Sequence, residues 1–490
     1  MRIVLIAPPL MDYESGILRP ISMDAVRTCP PYGIYLLATV ARSVGHEVTL
    51  IDLIAQGSKD LFPHAEALMT CHLVGIGTSS LSWPTAKACI AEVRCLRPDV
   101  PIAVGGIHAT MFDNYLLSTS EANFVLRGEA EMSLLLMCRA LEQNGNLLEV
   151  PNLTFKTVSG RIIRNDTAPK MSSRELAGFP VPDYSKLPLG VYTGLGLESS
   201  RGCPFDCVFC STSYRKSWRG IDAHEFVDRL EQILPYTART TLGLVQIIDD
   251  EFSIKTRRCI DICNEIESRN LSVRLVFDSR AEDLCNETFV DAVQPYAHQF
   301  LVGAECGYDE GLMKIGKGTT TEKLCQAAAV LQKKGIASRA DFSFIIGLPW
   351  ETKSETVQTI RFAYKLFETY GVRVLLQWYC QIPGSRLWDA QRTDEVLHEA
   401  QYDDFGFFRN HYLFRTGVHL MPSEVHEIVG ILNSIRSLSP KNANGMDMIQ
   451  SAVPDAIMTN YPVLFTEKET GGLANLREAA GVRTPRGSMQ

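Results

Sequence analysis

The chain has 490 residues, 46% hydrophobic and 21% charged, a balance that fits a globular protein with two or three domains. A formal net charge of −8 without any Lys/Arg run argues against a nucleic-acid track, and no apolar run approaches the length of a membrane span. Fourteen cysteines raise the question of disulfides, but Met1 leads straight into the strand-like Arg2–Ala7 with no leader pattern, so the expected setting is the reducing cytoplasm.

Short apolar runs at 2–7, 47–52, 72–77, 101–104 and 123–127 predict buried parallel strands. Helical patterns at 33–44, 59–70, 84–97, 111–119 and 129–143 alternate with them, so residues 1–148 are expected to form a doubly wound, flavodoxin- or Rossmann-like α/β domain. Ligands of such domains lie beyond the carboxyl ends of the strands. There the chain places Pro30-Pro31-Tyr32-Gly33, Asp52, Gly75-Ile-Gly-Thr78-Ser79-Ser80, Gly105-Gly106-Ile-His108 and Gly128-Glu129, where glycines beside hydroxyl groups let backbone approach a large ligand.

Residues 149–190 read as a linker, with a small hairpin around Ser159-Gly160 and then Pro180, Pro182 and Pro188 in extended chain. A second alternation follows over 191–395. Strands are predicted near 192–199, 242–248, 272–278, 298–304, 338–345 and 372–378, and helices at 222–234, 256–268, 283–292, 322–334 and 353–369. Residues 396–490 form an aromatic-rich, partly helical C-terminal region to which the pattern assigns no fold.

Between these two blocks of alternation lies the chemistry. Cys203, Cys207 and Cys210 stand in Arg201-Gly-Cys-Pro-Phe-Asp-Cys-Val-Phe-Cys-Ser211, three thiolates on one short loop. A zinc site would want a fourth ligand nearby, and no second Cys-x-x-Cys follows; three thiolates can hold three irons of a four-iron cluster and leave the fourth open. Polar groups also cap nearly every strand of the second block: Asp249-Asp250-Glu251, Ser279-Arg280, Glu305, the run Gly347-Leu-Pro-Trp-Glu351, and Gln377.

The Cys-x3-Cys-x2-Cys spacing, with Phe209 before the last cysteine, resembles the signature of the radical S-adenosylmethionine enzymes. A doubly wound domain placed directly before that loop is similar to the cobalamin-binding members of the family, and the resemblance covers roughly residues 1–390. It implies a partial (β/α)6 barrel, a 4Fe-4S cluster on the three cysteines, S-adenosylmethionine on the open iron, and cobalamin over the N-terminal strand ends. It further implies that Asp249, Asp250 and Glu251 hold the cosubstrate's ammonium, that Ser279 and Arg280 lie near its ribose or carboxylate, and that Glu305 contacts its ribose. Gly347 then lies beside the adenine, with Trp350 replacing the usual small residue, and Gln377 completes the set. For cobalamin it implies Asp52, Thr78, Ser79, Ser80, Trp83, Gly105, Gly106, His108, Gly128 and Glu129 as contacts. The loop after the first strand lacks the histidine that other corrinoid proteins place on cobalt, so Leu81-Ser82-Trp83 is expected under the lower face, with His108 a loop residue. The expected activity is methyl transfer to an unactivated carbon of a small molecule or peptide, with cyclisation or rearrangement without methyl transfer as the competing outcome. A flavodoxin- or ferredoxin-type protein would supply electrons.

Overall fold

A computed structural model describes residues 1–14, 17–20, 29–212, 214–380, 382–391, 399–404, 420–442 and 445–451. The first sheet runs β1 (Arg2–Ala7), β2 (Glu47–Asp52), β3 (Leu73–Gly77), β4 (Ile102–Gly105) and β5 (Phe124–Leu126), all parallel, in the order β2-β1-β3-β4-β5. Period-two alternation explains why both faces are covered. Ile3, Leu5 and Ala7 pack with α1 (Tyr32–Ser43) and α3 (Glu131–Gln143), while Val4 and Ile6 pack on the other face with α2 (Trp83–Leu96).

The hairpin read as part of a linker belongs to this sheet. Its strands β6 (Leu153–Lys156) and β7 (Ile162–Arg164) extend the sheet antiparallel beyond β5. The short turn at Ser159-Gly160 set the hairpin, but the edge it pairs with is distant in sequence. Buried Asp113 anchors it, accepting from Thr154 Oγ1 at 2.6 Å and Arg164 Nε at 2.7 Å.

The second sheet is parallel throughout: β8 (Gly194–Leu197), β9 (Leu244–Ile247), β10 (Leu275–Ser279), β11 (Ala297–Glu305), β12 (Ala340–Ile346), β13 (Arg373–Trp378) and a seventh strand, β14 (Ile449–Ser451), in that order. Helices α4 (Ala223–Ile233), α5 (Thr256–Ser268), α6 (Glu287–Val293), α7 (Thr321–Lys333) and α8 (Lys353–Tyr370) join the first six strands and bury their outward residues, among them the stacked pair Phe277 and Phe300. Of the C-terminal region, α9 (Pro422–Ser437) packs on α8 and β14 closes against β13; residues 405–419 and 452–490 lie outside the described residues. The segment 399–403 returns to the N-terminal domain, where Asp403 accepts from Trp83 Nε1 at 2.7 Å and Tyr115 OH at 2.8 Å. Among the described residues no helix is long and apolar enough to cross a membrane.

Candidate active site between the two domains

The two domains share one cavity of about 640 Å³. Its N-terminal wall is the carboxyl edge of the first sheet, including Thr78, Ser79, Gly105, Gly106, Gly128 and Glu129, with Pro31-Tyr32-Gly33 beside them. Its other wall comes from the cysteine-loop side, where Glu198, Arg201, Thr212, Tyr214 and Asp250 enter. A Cβ added at Gly105 would meet only Leu126 O, at 3.6 Å, so the missing side chain leaves room at the edge of the void. Gly106 has φ +101°, and a Cβ there would stand 2.3 Å from Thr78 O, so only glycine lets these two strand ends come together. A largely apolar recess edged by bare backbone fits a broad planar macrocycle such as cobalamin.

Four of the expected corrinoid contacts, Asp52, Ser80, Trp83 and His108, lie off the cavity wall. Trp83 is fully buried, donates to Asp403 and stacks on His108 with ring centroids 5.1 Å apart. His108 is also fully buried, its Nδ1 3.1 Å from Ser80 Oγ, and Phe112 and Tyr402 meet it edge-on. Burial drives its pKa down to about 3, so the imidazole is neutral, with Nε2 unpartnered among the described residues. Thus Ser80, Trp83 and His108 build core rather than cavity wall; Ser82 lines the cavity and Leu81 is half exposed. Asp52 caps the helix that follows it through Ala55 N at 2.9 Å and accepts the phenols of Tyr35 (2.9 Å) and Tyr192 (2.7 Å), so it ties the two domains together.

The cysteine loop leaves β8 and a two-residue strand, Ser200–Arg201. Cys207 is buried and Cys203 and Cys210 are half-buried. Burial pushes all three thiols up, Cys203 to about 11, and the neighbouring sulfurs raise Cys203 further. Thiols so placed ionise only when a metal takes the proton's place. Three thiols on one short loop suit a cluster, in which each cysteine ligates a separate iron. The donor set therefore fits a cluster.

At the barrel mouth the strand-end residues divide into braces and uncommitted groups. Asp249 receives Ser199 N (2.7 Å), Ser199 Oγ (2.6 Å), Ser200 N (2.9 Å) and Ser200 Oγ (2.5 Å), four bonds that fix the start of the cysteine loop. Asp250 accepts from Gly202 N at 2.9 Å and is exposed to the shared cavity. Glu251 is buried, which lifts its carboxyl to about 7, and accepts from Ser253 Oγ at 2.8 Å. Arg280 lays its guanidinium 3.8 Å from the centre of the Phe205 ring and donates to Lys317 O, clamping the cysteine loop to the 316–318 turn; Ser279 beside it is buried. Glu305 sits at a bulge with φ +61° and pairs with Lys317 Nζ at 2.8 Å. A left-handed glutamate held by its surroundings is the kind of strain that marks working sites. Gly347 donates to Glu351 at 2.7 Å, and Gln377 is exposed.

The residues missed from sequence are Glu198, Arg201 and Lys317: Arg201 answers the charges of Glu129, Glu131 and Glu198, and Lys317 answers that of Glu305. Arg201 opens the quoted cysteine loop, but its pairing with Glu129 and Glu131, some seventy residues earlier, leaves no periodic trace. Glu129 accepts from Arg219 at 2.6 Å and from Met171 N at 2.8 Å, and so joins the domains while it borders the cavity.

Comparison with known proteins agrees with this geometry. The B12 binding domain family matches residues 19–135 and the Radical SAM superfamily residues 197–363. The chain is 30% identical over 410 residues to the uncharacterized methyltransferase PH0819 of Pyrococcus horikoshii, spanning 81% of this chain and 84% of that one. It is 24% identical to the anaerobic magnesium-protoporphyrin IX monomethyl ester cyclase of Rubrivivax gelatinosus, over 75% of this chain and 65% of the relative. In fold it is similar to the radical S-adenosylmethionine methyltransferase TsrM of Kitasatospora setae, with a TM-score of 0.62, 17% identity, and 81% and 76% of the two chains covered. The chain belongs to the cobalamin-binding radical S-adenosylmethionine enzymes, whose cofactors are a 4Fe-4S cluster, S-adenosylmethionine and cobalamin.

Proposed function

We propose that this enzyme transfers a methyl group to an unactivated carbon of a small molecule or peptide. The observation that carries it is the shared cavity: the corrinoid cradle and Thr212, Tyr214 and Asp250 from the cysteine-loop side border one void. When bound, the cluster with S-adenosylmethionine supplies hydrogen-atom abstraction and cobalamin supplies the methyl group. The chain's part is to position and to exclude water. Cys203, Cys207 and Cys210 would hold the cluster. Asp249 holds its loop at the start and Arg280 holds it at Phe205, and the glycine edge at 105–106 admits the corrinoid. The apolar lining of Leu5, Ile34, Leu37 and Leu126 keeps the void dry.

The name of the Pyrococcus horikoshii relative supports methyl transfer, and that of the cyclase supports the competing outcome. A flavodoxin- or ferredoxin-type donor in the cytoplasm completes the proposal, a setting in keeping with fourteen free cysteines. Coproduct analysis of the reconstituted enzyme with labelled methyl donor tests it. Methyl transfer consumes two molecules of S-adenosylmethionine per turnover, one ending as S-adenosylhomocysteine and one as 5′-deoxyadenosine with methionine. Deoxyadenosine accumulating alone, beside a product of unchanged carbon count, would overturn the reading.

A further inference from the structure

The inner face of the barrel carries polar side chains with nothing to hold them. On β9, β10, β12 and β13 the outward residues Val245, Ile247, Phe277, Phe342, Phe344, Val374 and Leu376 are buried in the core, so alternation turns Gln246, Asp278, Ser343 and Gln377 inward. Asp278 and Gln377 are exposed although they lie on interior strands, which makes the barrel centre a solvent-reached chamber. Among the described residues none of these four side chains has a hydrogen-bond or ion-pair partner. Barrel interiors are ordinarily filled by packed branched apolar side chains.

Asp278 is the charged member, and its surroundings leave its charge unanswered. Lys317, the cation it senses, is already paired with Glu305 at 2.8 Å. Asp249 and Asp250 add negative potential from the neighbouring strand end. Partial desolvation at the bottom of the recess first, then Asp249, lifts the Asp278 carboxyl to about 6, with Lys317 pulling the other way. A recessed carboxylate without a counter-ion is costly until a cation or strong donor arrives.

We infer that this chamber is the substrate pocket and that Asp278 receives a cationic nitrogen, an ammonium or guanidinium group, of the substrate, with Gln246, Ser343 and Gln377 as hydrogen-bonding partners for its polar remainder. This rests on the enzyme reading above and adds the chemical class of what is methylated. Asp278 stands on the strand next to Asp249–Glu251, one residue inward of Ser279, and so reaches deeper than the strand-end groups.

The test uses reconstituted enzyme with S-adenosylmethionine at pH 8 and three isosteric probes, n-butylammonium, n-butanol and n-butyrate, followed by saturation-transfer NMR. Butylammonium should bind at least about tenfold more tightly than butanol, as expected of a charge-assisted hydrogen bond, with butyrate weakest. Asp278→Asn should bring butylammonium to the level of butanol, and Gln377→Glu should widen the preference. Equal binding of ammonium and alcohol by the parent enzyme, or a preference that survives Asp278→Asn, overturns the inference. So does a matching loss of S-adenosylmethionine affinity in that variant, because Asp278 would then be a cosubstrate contact. Absence of methylated product, by contrast, counts against the proposed reaction and leaves the probe ratios to judge the chamber.

Discussion

Arg201 Nη1 lies 3.4 Å from Glu129 Oε1, and through that contact the strand entering the cysteine loop is fastened to the loop that ends the last parallel strand of the corrinoid sheet. Arg201 also reaches Glu131 at 2.9 Å and Glu198 at 2.8 Å. Burial works against its charge, but Glu198 and Glu131 outweigh it and hold the guanidinium above its ordinary range. The two loops proposed to carry the cofactors are thus set at a fixed separation by one buried cation.

Removing that cation should therefore cost far more than a surface pair. Arg201→Met leaves three buried carboxylates short of a partner, a loss of about 3–5 kcal/mol when one side of a buried pair is deleted. Urea unfolding measures it. Arg201→Lys should retain part of the stability but lose the two-pronged grip on Glu198. A Met variant within about 0.5 kcal/mol of the parent, as at an ordinary surface site, would show that the network does not hold the domains.

Cluster ligation is checked separately. Anaerobic reconstitution should load about four irons with a thiolate-to-iron absorption band, and changing Cys203, Cys207 and Cys210 together to alanine should abolish both while the N-terminal domain still binds cobalamin. Because the thiols are raised, loading should release protons and proceed better as pH increases. Full iron content in the triple variant would remove the assignment.

For the corrinoid, electron paramagnetic resonance of the cobalt(II) form should show no axial nitrogen splitting from the protein. His108 is walled in by Trp83, Phe112 and Tyr402 and is 3.1 Å from Ser80. His108→Ala should leave the spectrum unchanged and destabilise the fold by about 2–4 kcal/mol, the scale of a cavity in an aromatic core. A nitrogen triplet that vanishes in this variant would reverse the placement of His108.

Glu351 gives a pH signature. Burial lifts its carboxyl to about 7, against the pull of the Leu348 and Gly347 amides. The folded chain then binds the proton more tightly than the unfolded one. Its contribution to stability is full below the ordinary value of 4.5 and is lost as pH rises to about 7. Glu251 acts in the same direction, so Glu351→Gln should flatten, without abolishing, the fall in Tm across that window. Identical slopes for the two proteins would show that Glu351 does not titrate there.

The two alternating domains, the cysteine loop and the glycine-edged strand ends were legible in the residues alone, because period-two burial, turn chemistry and a three-thiolate spacing are local properties of the chain. What lay beyond them were the partners across the fold. Asp249 looked like a ligand-holding acid and is filled by Ser199 and Ser200, fifty residues earlier. Trp83 looked like a cofactor contact and turns to Asp403, which only the returning C-terminal segment could bring. The hairpin at 153–164 joined the first sheet because β5 offered it an open edge. Asp278, unremarkable in its strand, became a free charge once the tertiary structure gave Lys317 to Glu305. Local pattern sets which elements form, whereas burial and charge compensation, which depend on residues hundreds of positions apart, decide which polar groups are braces and which remain available to a ligand.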